Sequence, residues 1–171
     1  MHIYLFAEQD GIVSQNATMS ERRTVLIAMD NSEHSEYAYQ WYLKNIHRAG
    51  DFCILFHSAG FDFTYPATSI SVVNPGIRKQ LEDELERETQ VFVTKLESLL
   101  RDSKVEGKVV RSHINPGPAI TEASQKFNVE MIVTGCRGAG LIHRTIMGSV
   151  SDYVFHHSDV PVIVCKHSSK L

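Results

Sequence analysis

Hydrophobic residues in this chain fall into two alternating patterns: short unbroken apolar runs, and longer stretches in which apolar positions recur every three or four residues. The first run, Thr24-Val-Leu-Ile-Ala-Met29, stops at Asp30, as expected of a strand buried on both faces of a parallel sheet. Phe52–His57, Val109–Ile114, Met131–Thr134 and Pro161–Cys165 repeat that pattern and are the other predicted strands. Between the first two, Ala38, Trp41, Tyr42 and Ile46 keep helical spacing, with Ser32 placed to cap the segment and Gly50 to end it. From Gly76 to Arg101 a stripe of Leu81, Leu85, Phe92, Leu96 and Leu99 predicts a long amphipathic helix, with Glu82, Asp83, Glu84, Glu86 and Glu88 on solvated faces. The stripe covers too few heptads for a coiled coil. Asn115-Pro-Gly-Pro118 breaks the third strand, and Ala119–Phe127 and Ser149–His157 read as two more helices. Ser58–Pro75, with two prolines and little periodicity, reads as a long loop of the kind that sits over a site. Strands alternating with helices require right-handed crossovers, hence a doubly wound parallel sheet with helices on both faces. Ligands of such sheets bind beyond the carboxyl ends of the strands, which directs attention to Asp30, Ser58, Asn115 and Gly135 onward.

Composition narrows the class. The 171 residues suit one domain, and 43% hydrophobic with 22% charged residues is ordinary globular usage. A net charge of -3 gives no positive field to gather nucleic acid or an anionic membrane surface. No run is long and apolar enough for a membrane span, and the start lacks the basic and apolar regions of a signal peptide. A cytoplasmic location is therefore expected, with residues 1–21 a flexible extension, the Asn16-Ala17-Thr18 sequon accidental, and 22–168 the folded domain. Of three cysteines, Cys53 and Cys165 sit in apolar runs as core residues, whereas Cys136 falls in an apparent loop where it would be more accessible. His156 and His157 are adjacent, which is the wrong spacing for a helical metal pair, and no metal site is expected from the histidines.

The chemistry concentrates in Gly135-Cys-Arg-Gly138-Ala-Gly140 through Gly148-Ser149. Glycines let backbone amides approach a polyanion, and Gly148-Ser149 opens a helix whose free N–H groups and dipole favour phosphate. Taken alone, the same residues also fit a turn followed by a helix cap. The full spacing, Gly135-x-x-Gly138, nine residues, then Gly148-Ser149, resembles the ATP-binding signature of the universal stress protein family. The resemblance runs from about Arg22 to Lys166 and includes Ala28-Met-Asp30-Asn-Ser32, His57-Ser58 and the tail from Gly148 to Val164. It implies a Rossmann-like sheet of five strands in the order 3-2-1-4-5, binding ATP with Mg2+ as an optional companion. Ala28, Met29 and Asp30 would flank the nucleoside, Asp30 bonding to base or ribose, and Ser58 would lie beside the adenine. Thr134, Gly135, Arg137 and Gly138 would follow the ribose and phosphates; Gly148, Ser149, Val150 and Ser151 would hold the phosphate tail. Cys136 stands where the family often has serine.

Other functions fit less well. No G-x-x-x-x-G-K-[ST] string occurs, and Gly135-Cys-Arg-Gly-Ala-Gly140 has neither the spacing nor the position of a dinucleotide fingerprint. Arg137, His143 and Arg144 could offset phosphoryl charge, but no residue is placed as a base. The resulting expectation is a nucleotide-responsive stress or signalling module, with slow ATP hydrolysis and an empty dimeric scaffold as the alternatives. Asp30 also fits a plain turn residue after a strand. The apolar run after Pro161 should form a sheet edge with nothing to cover it, which predicts a homodimer through 161–166.

Overall fold

The computed structural model describes residues 22–59, 75–137 and 147–167. Five strands, β1 (Thr24–Ala28), β2 (Phe52–Ser58), β3 (Gly107–Ser112), β4 (Met131–Arg137) and β5 (Val162–His167), alternate with four helices, α1 (Glu33–Asn45), α2 (Pro75–Ser103), α3 (Pro116–Lys126) and α4 (Ser149–His157). They form one parallel sheet in the order β3-β2-β1-β4-β5. This is the expected Rossmann-like arrangement.

Two cores follow from the two faces. Val25, Ile27, Leu55 and Val133 point toward Ala38, Tyr39 and Tyr42 of α1 and Phe92, Leu96 and Leu100 of α2. Leu26, Ile54, Phe56 and Ile132 point toward Ala119, Ile120 and Ala123 of α3 and Val154 of α4. Alternating side chains of one unbroken apolar run thus fill both layers, which is why the run carries no polar period.

Several boundaries depart from the sequence expectation. α1 starts as expected, with the Ser32 hydroxyl accepting from the Ser35 amide at 3.2 Å, but it ends at Asn45. Gly50 instead takes a φ of 92° in the turn leading to β2. β3 spans 107–112 rather than 109–114, placing His113 in the bend after the strand. Asn115-Pro-Gly-Pro118 begins α3 rather than only breaking β3: Asn115 is the N-cap, and Pro116 stands where a missing N–H costs nothing. β4 continues three residues past Thr134, because Gly135, Cys136 and Arg137 pair with Cys165, Lys166 and His167 of β5. Cys136 is therefore a buried strand residue, 2% exposed, and not an accessible loop thiol. Gly138, residues 139–146 and most of the Ser58–Pro75 stretch lie outside the described residues.

Candidate functional site

At the carboxyl ends of β1 and β4 lies a cleft of about 280 Å³. Its first wall is the end of β1. Ala28 and Met29 lead to Asp30, whose Oδ1 accepts from the Ser32 amide at 3.1 Å and the Ser32 hydroxyl at 2.5 Å, while its own amide donates to Ser35 Oγ at 3.3 Å. The turn passes through Asn31 at φ 61°, a conformation Asn tolerates better than most residues. Asp30 thus does serve the turn, and it lines the cleft as well.

Met29 is held from both sides. Its amide donates to the Phe56 carbonyl at 2.8 Å, and its carbonyl accepts from His57 Nδ1 at 2.8 Å. Burial pushes the His57 imidazole below its ordinary pKa, outweighing the Met29 hydrogen bond and the Asp30 charge. A neutral ring bonded to a carbonyl through Nδ1 carries its proton on that nitrogen. Ser58, next along β2, also faces the cleft, with its hydroxyl donating to the Ile114 carbonyl at the end of β3.

Thr134 and Gly135 of β4 form the floor. A Cβ on Gly135 would stand 2.4 Å from the His34 carbonyl oxygen and 2.9 Å from the Ser35 nitrogen. Its glycine is therefore required by the first turn of α1 lying directly on β4, a packing reason distinct from close approach to a phosphate. Gly148, Ser149, Val150 and Ser151 close the opposite side. Ser151 is 2% exposed, and its hydroxyl donates back to the Gly148 carbonyl at 3.0 Å. Ser149 is exposed.

The helices that begin here differ at their amino ends. α1 has Ser32, and α3 has Asn115 Oδ1 accepting from the Gly117 amide at 3.3 Å. α4 begins at Gly148 with no side-chain cap at all. Its first-turn amides and the positive end of its dipole face the cleft with no side-chain cap among the described residues, the arrangement that binds anions. No Lys or Arg occurs among the described lining residues, so the favourable field for negative charge comes from backbone.

Ten residues singled out in the sequence therefore meet in one cleft: Ala28, Met29, Asp30, Ser58, Thr134, Gly135, Gly148, Ser149, Val150 and Ser151. Arg137 closes β4, and Gly138 lies outside the described residues. Ser32, His34, Ser35, Phe56, Pro116 and Ile120 also line the cleft without having been singled out for it. Pro116 and Ile120 were detectable in principle: reading Pro116 as the first residue of a helix would have brought the amino end of α3 to the site.

The model of the universal stress protein family matches residues 21–166. The chain belongs to this family. Universal stress protein PHOS34 of Arabidopsis thaliana is 25% identical over 167 residues, covering 88% of this chain, and this chain spans 64% of that relative's length. Among solved family structures, universal stress protein UspA from Lactobacillus plantarum matches with a TM-score of 0.67 at 20% identity, over 84% of this chain and 98% of that one. A universal stress protein family protein from Arabidopsis thaliana with AMP bound gives 0.63 at 16% identity, over 86% and 93%. At such identities these two structures establish the fold, which is the universal stress protein fold.

Proposed function

We propose that this universal stress protein binds ATP in the cleft and works as a nucleotide-responsive stress or signalling module. The observation that carries the reading is the uncapped amino end of α4, set in the same cleft as the Asp30 turn. One end offers unpaired backbone donors to phosphates, and the other offers a carboxylate and backbone groups to a nucleoside. Ala28, Met29, Asp30 and Ser58 take the adenosine; Thr134, Gly135, Arg137 and Gly138 follow the ribose and phosphates; Gly148, Ser149, Val150 and Ser151 hold the phosphate tail. The AMP-bound relative supports an adenine nucleotide as the ligand class. Mg2+ would be bound chiefly by the phosphates and water, its usual habit in nucleotide sites.

Binding rather than dedicated catalysis fits the lining. Its described titratable groups are Asp30, at the end of β1, and His34, in the first turn of α1, and the reading gives neither the role of a base toward water. Among the described residues no helix is long and apolar enough to cross a membrane; the cytoplasmic location belongs to the proposal.

Mass spectrometry of nucleotide released from the purified protein tests the reading. ATP in the released fraction supports it; ADP alone points to hydrolysis on the same site; no nucleotide leaves the scaffold alternative. The module is further proposed to be a homodimer through β5. Among the described residues that strand is a sheet edge bonded only to β4, with Val162, Ile163 and Val164 half-buried in the single chain. Light scattering should give a dimer mass, and Val162→Lys with Val164→Lys a monomer.

A further inference from the structure

We propose, on the reading of this cleft as a nucleotide site, that His57 is the positioning residue of its nucleoside end, fixing the peptide unit that carries Asp30 into the cleft. β1 ends at Ala28, and just past it the Met29 amide donates to the Phe56 carbonyl at 2.8 Å. The next peptide unit, between Met29 and Asp30, is held by side chains instead. Its carbonyl accepts from His57 Nδ1 at 2.8 Å, and its N–H donates to Ser35 Oγ at 3.3 Å. A peptide unit is planar, so a bond at each end sets its orientation, and with it the direction in which the Asp30 side chain leaves the backbone.

The two bonds have different standing. Ser35 belongs to the first turn of α1, and its hydroxyl also donates to the Ser32 carbonyl at 2.9 Å, so it serves the helix start in any case. His57 reaches over from β2, next to Ser58 in the same strand, and thereby ties two separate strands of the nucleoside wall together. Because a carbonyl only accepts, Nδ1 carries a proton whether the ring is neutral or charged. The ring itself is set by Phe92 of α2, edge to face at a centroid separation of 4.8 Å and an interplanar angle of 76°. Phe92 is 5% exposed and part of the core beneath α2, so the donor stands on a packed support.

Without the His57 bond, the peptide unit between Met29 and Asp30 regains rotational freedom at its carbonyl end, and a ligand touching Asp30 must order it on binding. That cost falls on the nucleoside. The phosphate end is built from Gly148 to Ser151 at the start of α4 and should not register it.

The test uses the full chain, with AMP and inorganic tripolyphosphate as probes, titrated calorimetrically into the wild type and two variants. His57→Phe keeps a ring against Phe92 and removes the donor. His57→Asn loses the ring but keeps an N–H on an atom two bonds from Cβ, as Nδ1 is. AMP affinity should fall about tenfold in His57→Phe, the scale of one lost hydrogen bond, and recover to within about threefold of the wild type in His57→Asn. Tripolyphosphate affinity should stay within about twofold in both. Magnetic resonance of the wild type, which depends on no variant, should show the His57 Nδ1–H signal shifting with AMP and not with tripolyphosphate. AMP bound equally by the wild type and a folded His57→Phe, equal losses of both probes, no recovery in a folded His57→Asn, or an Nδ1–H signal indifferent to AMP overturns the proposal and leaves nucleotide binding standing. A wild type that binds no AMP overturns both.

Discussion

The two ends of this sheet are built on opposite rules. At the amino ends of β1 and β2, Asp51 is 3% exposed and fully engaged: Arg23 reaches it through Nε at 2.9 Å and a terminal nitrogen at 2.6 Å, the Tyr42 hydroxyl donates at 2.7 Å, and the Arg48 amide at 2.9 Å. Arg23 also donates to the Ile46 carbonyl at 3.0 Å. Burial pushes the Asp51 carboxyl up, but the bonds from Arg23 and Tyr42 outweigh it and hold the pKa below the ordinary value. At the carboxyl ends, Asp30 is exposed, α4 begins on a bare glycine, and a cleft remains open. A charge that serves the fold is closed on protein donors, whereas a surface that serves a ligand keeps donors unspent until the ligand arrives.

The strongest way to break this contrast is Asp51→Ala. It leaves the Arg23 guanidinium, 19% exposed, without its carboxylate, and should lower stability by about 3 kcal/mol, near the low end for opening a buried ion pair. Urea denaturation measures the loss; nucleotide affinity well below the melting point should not change. Gly148→Val is the mirror experiment. Among the described residues a Cβ there meets only Ser151 Oγ, at 3.8 Å, and the backbone sits at φ -72°, so stability should stay within about 0.5 kcal/mol. Nucleotide affinity, by calorimetry, should fall by about 2–3 kcal/mol or vanish as a branched side chain occupies the phosphate path.

Asp30→Ala sharpens the comparison because its carboxylate serves both ends of the argument. Losing the acceptor for the Ser32 amide should cost about 1 kcal/mol of stability, and losing the nucleoside contact about 1–2 kcal/mol of affinity. A fall in stability with affinity unchanged would make Asp30 a turn residue only.

The smallest effect is in the pH profile. His57 has a folded pKa below its unfolded value near 6.5, so its contribution is full above about pH 6.5 and declines as acid protonates the unfolded chain first. Asp51 is also depressed, but from the carboxylate range, so its contribution is full above about pH 5 and declines below about pH 4. Acid should therefore loosen the carboxyl end before the amino end. His57→Gln, which keeps a donor for the Met29 carbonyl, should flatten the stability curve between about pH 6.5 and 5 and leave the steeper loss below pH 4 in place.

How much of this was legible in the sequence depends on what each residue answers to. The strands were readable because buried parallel strands are continuous apolar runs, whereas their order came from the family resemblance. Gly107 and Lys108 were missed from β3 because they hold the ladder through backbone, opposite Cys53 and Ile54, with no apolar side chain to mark them. Lys108 spends its stem and charge over the Phe127 ring, 4.3 Å away. Gly135-Cys-Arg137 looked like the start of a loop because glycine is the usual turn residue; only the pairing with β5 shows that the strand continues. Of the cleft residues, Asp30, Ser58 and Gly135 were legible from their place at strand ends, and the rest of the set came through the family resemblance. His34 edge-on to His167, and Asp51 under Arg23 and Tyr42, were not legible at all, because contacts between distant segments leave no periodic trace.

The longer β4 also changes how the dimer experiment must be run. Gly135 in the cleft floor pairs with Cys165, so the cleft floor and the outer rim of the sheet are one strand spacing apart, about 4.8 Å. Lysines installed at Val162 and Val164 sit opposite Ile132 and Thr134 on that same ladder. A charged rim is therefore not a remote change, and affinity for nucleotide has to be measured on the same sample whose mass is weighed.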